Sequence, residues 1–188
     1  MKFRQGKLSL NDEEILNIPE ECLANEPASQ LAVTEIYKRF ECTYPKFYKM
    51  DLMCKWGFVC AEWLLQDKPY SAIDAYRKAI VMQNRSSSLL TDANFQRSMQ
   101  QVPSPALFVY TLPNIVMGEL AIRHRFKGEN TFFVDKQFNP VQLYDYAGLL
   151  FQNDIADIVI AAYLEIDPPE HEISFSLLEK TATAVVTP

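Results

Sequence analysis

Three observations in this 188-residue chain predict one α/β domain built as a layered sheet. Strand patterns at 77–84, 130–135 and 157–165 alternate with helical patterns. Residues 157–165 (DIVIAAYLE) run with few polar breaks, as a strand buried on both faces does. Hydrophobic residues make up 48% of the chain and charged residues 22%, enough apolar material for a core of domain size.

Residues 1–28 are polar and acidic, with Pro19 and Pro27, and predict an irregular arm; 29–188 then form a single domain. A helix is expected over 29–40, where Leu31, Ile36 and Phe40 lie on or near one face. Tyr44-Pro45 breaks it. The strongest helix spans 49–66, with Asp51 as N-cap and Met53, Trp56, Val59, Cys60, Trp63 and Leu64 at helical spacing. It is apolar around much of its circumference, which predicts deep packing. Strand 77–84 runs into the loop Arg85-Ser86-Ser87-Ser88, and Thr91 or Asp92 caps a short helix to about Met99. A helix across 106–125 contains Pro113, which predicts a break near Leu112. Strand 130–135 follows. Asn139 as N-cap, Pro140 at N1 and Gln142 at N3 then predict a capping box, with Leu143, Ala147, Leu150 and Phe151 on one face. Pro168-Pro169 punctuates, 173–179 reads as a last strand, and 180–188 as a weaker strand or tail.

Several function classes are disfavoured. The net charge is −6 with no basic stripe, against nucleic-acid binding. No apolar run reaches the ~18 residues needed to span a bilayer. The opening MKFRQGKLSLNDEE lacks the apolar segment of a secretion signal, so a cytoplasmic location is expected. Cys22, Cys42, Cys54 and Cys60 form no C-x-x-C pair and only two histidines could join them, so no metal site is expected. Cys54 and Cys60 read as small buried hydrophobes. His124, between Arg123 and Arg125, reads as a solvated helix end, and His171 as a surface-loop residue. Two weaker candidates for binding an anion or an acidic partner are Tyr44–Lys49, with aromatics and two lysines, and the amides of Arg85–Ser88. Both also suit ordinary loops. Asp154 and Asp157 suggest no acid/base pair.

One stretch is more specific. Pro113-Asn114 with Gly118 and Ala121, then Gly128, Asn130 and Thr131, then the strand opened by Asp157, resembles the N-terminal half of a β-ketoacyl-acyl-carrier-protein synthase, of the thiolase-like superfamily. The resemblance covers about 80–165 and implies a layered thiolase-like half-fold, a mixed sheet with helices on both faces. In that family the strand after the glycine delivers a nucleophilic Cys to a helix start, where the dipole and backbone amides favour the thiolate. Counting without a gap places Gln137 there, and glutamine cannot form an acyl thioester. Lys136 and Phe138 replace the small neighbours, and Phe138 and Tyr163 are expected to crowd the acyl entrance. The family's two catalytic histidines lie in a C-terminal half, about where this chain stops at Pro188; His124 and His171 match neither.

Glutamine at this place resembles the chain-length factor of aromatic polyketide synthases, a silent partner of an active ketosynthase, and a loading-module decarboxylase, which needs the histidines. The resemblance therefore implies a non-catalytic, chain-length-factor-like subunit of a bacterial fatty-acid, aryl-polyene or polyketide pathway. Its implied partner is a full-length ketosynthase or an acyl carrier protein, and no cofactor is implied. Half of a split 3-oxoacyl-ACP synthase or malonyl decarboxylase, completed by a separate chain, is the alternative, and a self-associating relic a third. Family members pair through the strand before the nucleophile, here Thr131-Phe132-Phe133-Val134, so an oligomer is expected, either a homodimer or a pair with a ketosynthase.

Overall fold

The computed structural model describes residues 2–8, 30–40, 43–66, 70–100, 102–167 and 170–180. Its elements run β1 (Lys2–Leu8), α1 (Gln30–Tyr37), α2 (Leu52–Leu65), β2 (Lys78–Asn84), α3 (Leu89–Ser98), α4 (Pro105–Val109), α5 (Ile115–His124), β3 (Asn130–Val134), α6 (Pro140–Gln152), β4 (Ile158–Asp167) and β5 (Glu170–Lys180). The five strands form one sheet in the order β1-β5-β4-β2-β3. β4 and β5 are antiparallel, and the other pairs, β1 with β5, β4 with β2 and β2 with β3, are parallel. This is the mixed α/β sheet that the resemblance implies.

Alternation along the strands sorts the core into two layers. Ile80 and Met82 of β2, Ile158, Ile160, Ala162 and Leu164 of β4, and Phe175 and Leu177 of β5 join the core that contains α1, α2 and α5. Ala79 and Val81, Val159, Ala161 and Tyr163, and Leu178 point the other way, onto Leu143, Ala147, Leu150 and Phe151 of α6. Helix α2 is buried from Leu52 through Ala61, as its all-round apolar character predicts. Asp51 caps it: Oδ1 accepts the Cys54 N–H at 2.8 Å, and Oδ2 accepts the Thr91 hydroxyl at 2.6 Å. Gly57 lets α5 sit close, because a Cβ there would lie 2.4 Å from Val116 Cγ2 and 3.2 Å from Leu164 Cδ2.

Some expectations are corrected. Lys2–Leu8, assigned to an irregular arm, is a strand paired in register with Ser174–Lys180; residues 9–28 lie outside those described. Helix α3 starts at Leu89, not at Thr91 or Asp92, and its N-cap Ser88 makes no capping bond because its hydroxyl donates to the Thr111 carbonyl. The Pro113 break is complete: α4 and α5 are separate helices. β5 begins at Glu170, earlier than expected. Pro168-Pro169 and the 181–188 tail lie outside the described residues, as do Cys22 and Cys42.

Candidate functional site

The turn from β3 to α6 carries the site suggested by the sequence. Gly128 starts it at a crowded point: a Cβ there would meet the Tyr76 carbonyl at 2.6 Å and the Lys78 carbonyl at 2.8 Å, and its N–H donates to Lys78 O at 2.9 Å. The Asn130 side chain donates back to the Gly128 carbonyl. β3 then pairs with β2 on one side, Ile80 opposite Asn130 and Asn84 opposite Val134. Its other side has no partner among the described residues.

Gln137 is exposed and lies in the turn, two residues before the helix N-cap rather than on the first turn of α6. Asn139 caps α6 as expected, accepting the Gln142 N–H at 3.1 Å. The reciprocal half of the capping box does not form. The fully buried Gln83 of β2 stands between instead: its Oε1 accepts the Asn139 N–H at 2.8 Å, and its Nε2 donates to Gln142 Oε1 at 2.7 Å. Sequence spacing along α6 could not reveal this, because the third partner comes from another strand.

Next to Gln137, Phe138 stacks on the buried Tyr163 of β4, ring centroids 4.8 Å apart and 29° between planes. Two large rings thus fill the space beside the turn. Burial pushes the Tyr163 hydroxyl up to about 12, so it stays a neutral phenol. Neither histidine has contacts that reach this turn. His124 ends α5 with its Nε2 3.3 Å from Glu62 Oε1, and it is largely buried rather than solvated. Burial lowers it to about 4, so it is neutral at pH 7. His171 is on β5, stacked on Trp56 at 5.3 Å, not in a loop. The thiols of Cys54 and Cys60 are enclosed on α2, and burial pushes both well up. They are protonated packing groups, as expected of small hydrophobes.

The remaining candidates resolve into internal contacts. The Arg85 and Ser86 amides do hold an anion, but it is the chain's own Glu165, whose Oε2 accepts them at 2.7 and 3.0 Å. Lys46 is drawn to the buried Glu119 at 2.8 Å, and Phe47 stacks on Tyr37 at 3.9 Å. Asp157 takes two hydrogen bonds from Arg77, at 2.5 and 2.6 Å, and Arg77 also reaches Asp154 at 2.7 Å. Those bonds hold the Asp157 carboxyl below its usual range; Asp154, bonded first by Lys180 and then by Arg77, is lowered too. This cluster joins the chain before β2 to the chain before β4 and is structural. Asn114 stands at the start of α5 without a side-chain capping bond, and a Cβ on Gly118 would meet open space.

No family model and no curated protein matches the chain. Solved structures do. One is the ishigamide ketosynthase/chain length factor, at 21% identity over 64% of this chain and 36% of that one, TM-score 0.57. A second is AntDE:AntF, a type II PKS acyl-carrier protein in complex with its ketosynthase bound to the hexaketide, at 17% identity, 69% and 39% coverage, TM-score 0.59. A third is the ketosynthase ApeO in complex with its chain length factor ApeC from Xenorhabdus doucetiae, at 15% identity, 82% and 74% coverage, TM-score 0.56. The fold is thus ketosynthase-like and thiolase-like, as the motif resemblance implies. The chain spans about a third of the length of the first of these. Among the described residues no helix is long and apolar enough to cross a membrane.

Proposed function

We propose that this chain is a catalytically silent, chain-length-factor-like subunit that pairs with an active ketosynthase in a bacterial polyketide, aryl-polyene or fatty-acid pathway. The observation that carries this reading is the β3–α6 turn. Gln137 occupies the nucleophile's place by resemblance, and the Phe138–Tyr163 stack fills the space beside it. A site without a thiol, closed by two rings, suits a partner better than an acyl acceptor.

Pairing is supported by two surfaces. β3 is an edge strand with an unpaired side among the described residues, and such an edge invites a second strand. Its phenylalanines face inward to the two cores: Phe132 packs against the α2 layer and Phe133 against Tyr146. Pairing at this edge is therefore a matter of backbone hydrogen bonds, with the exposed Val134 and the half-buried Thr131 at its rim. Nearby on the chain, Met99, Val102, Phe108, Val109 and Leu112 of the α3–α4 region are exposed apolar side chains. Patches of that kind mark protein contacts.

The test is co-purification of the tagged chain from its native host with mass spectrometry, repeated with Val134→Lys. Recovery of a full-length ketosynthase that the lysine abolishes supports the pairing. Recovery of an acyl carrier protein alone moves the partner. A second chain that completes a condensing or decarboxylating activity sensitive to Gln137→Ala replaces silence with the split-enzyme reading. Recovery of the chain alone, as a homo-oligomer, overturns the proposal in favour of a self-associating relic.

A further inference from the structure

A cleft of about 510 Å³ opens beside the N-terminal end of β2, between the segment 70–78 and the 123–127 corner that follows α5. Its size falls in the range of small-molecule sites. Lys78, the first residue of β2, lines it and is only 4% exposed. Its ammonium donates to the Tyr70 carbonyl at 3.0 Å and lies 5.6 Å from the centre of the Phe126 ring. Among the described residues it makes no ion pair with a carboxylate. The nearby Asp74 favours its charge without pairing with it, so this buried lysine is only partly compensated.

Three further cations, Arg123, Arg125 and Lys127, line the cleft. Arg125 is exposed and caps α5 in the left-handed region, φ 59°. Lys127 is exposed, its ammonium 5.8 Å from the centre of the Tyr76 ring. Arg123 is spoken for, since it holds both oxygens of Glu62, at 2.6 and 3.2 Å. Among the described residues the one carboxylate lining the cleft is Asp74, whose Oδ1 accepts the Tyr76 N–H at 3.1 Å. Among the described lining residues, Lys78, Arg125 and Lys127 against Asp74 leave a local excess of two positive charges on a chain whose net charge is −6. Desolvation first, then the nearby Arg125, pull the Lys78 ammonium below its usual range. An entering anion would offset both by its attraction for the ammonium.

We propose that this cleft is a binding site for a small phosphate monoester, with Lys78, Arg125 and Lys127 on the phosphate and the Tyr70, Ile73 and Phe126 side of the cleft against the organic part. A phosphate dianion matches the excess of two charges, and Arg with Lys is the usual donor set for its oxygens. A monocarboxylate would leave one cation unanswered. The site is separate from the β3–α6 turn and does not depend on the accessory-subunit reading.

The test is an amide NMR titration of the intact chain at constant ionic strength, with phenyl phosphate, inorganic phosphate and benzoate as probes. Phenyl phosphate is expected to shift the Tyr76, Lys78, Phe126 and Lys127 amides saturably, about tenfold more tightly than inorganic phosphate, with benzoate weaker than either. The double variant Arg125→Asn, Lys127→Gln changes exposed side chains, and Asn tolerates the left-handed backbone. It is expected to weaken phenyl phosphate by at least about tenfold while its amide spectrum stays native. Lys78→Met is the sharper probe, and the double variant keeps the test decisive if that buried substitution unfolds the chain. Absence of saturable shifts at these amides, or an unchanged affinity in the double variant, overturns the site. Equal affinity for phenyl phosphate and inorganic phosphate overturns the organic part of the assignment.

Discussion

The two faces of the sheet are built by different means from the same strands. Toward α1, α2 and α5 the strands present Ile80, Met82, Ile160, Leu164 and Phe175, answered by Trp56 and Phe58 of α2 and by Phe47 of the turn before it. Toward α6 the same strands present mostly smaller side chains, Ala79, Val81, Val159 and Ala161 with Ser174 and Ser176 on β5, beside the larger Tyr163 and Leu178. Small residues let one helix lie close, and polar contacts then position it. Gln83 holds the α6 start, Tyr144 reaches the Ser176 hydroxyl at 3.1 Å, and Tyr146 reaches Thr131 at 3.1 Å. One face is held by buried volume and the other is oriented by named hydrogen bonds. The candidate site lies on the second.

The comparison can be broken most forcefully at Phe58, fully buried among Tyr37, Tyr44 and Phe47. Phe58→Ala should destabilise by about 3–5 kcal/mol, read as a lower urea midpoint at unchanged slope. A loss below about 1 kcal/mol would mean that volume does not dominate this face.

A pH scan sharpens the same face. Burial lowers His124 to about 4 from an ordinary 6.5. Below pH 6.5 the unfolded chain binds a proton that the native chain refuses, so this stability is complete above 6.5 and lost as pH falls toward 4. The loss is on the order of 3 kcal/mol, and His124→Gln should flatten that part of the urea-midpoint profile. An unchanged slope in the variant would show that His124 is hydrated in the native chain.

On the other face Gln83→Leu keeps the volume and removes the bridge, stranding the Asn139 N–H. A cost of about 1–3 kcal/mol is expected, with faster hydrogen exchange confined to the first turn of α6. Asn139→Ala removes only the cap and should cost about 1 kcal/mol by the same readouts. If both variants left α6 exchange unchanged, apolar packing would be orienting this helix after all.

Much of the fold was legible where the cause is local. The Asp51 and Asn139 caps, the apolar wrap of α2 and the Pro113 break all depend on residues within a few positions of one another. β3 and the start of α6 were legible in NTFFVD and in Asn139-Pro140, and the resemblance singled out Phe138 and Tyr163, whose rings do stack. What was missed involves distant partners. The strand character of Lys2–Leu8 depends on β5, since KFRQGKL lacks an apolar alternation of its own. The burial of His124 depends on Glu62 and the neighbouring helix. The Arg85–Ser86 amides looked free because the carboxylate that occupies them lies 80 residues away. The cationic cleft drew no notice because its charges come from 74–78 and 123–127, neither of which is a basic run.

The order of pairing along the chain also has a consequence in time. β2 meets β3 about fifty residues later and β4 about eighty residues later, and only β4 and β5 are joined by a short connection. On a ribosome, β2 and β3 emerge with the other backbone edge of β2 waiting for a strand that has not yet been made. The β4–β5 ribbon can form within microseconds of its release. It then closes onto a half-built sheet, so the central pairing of the sheet is among the last to form.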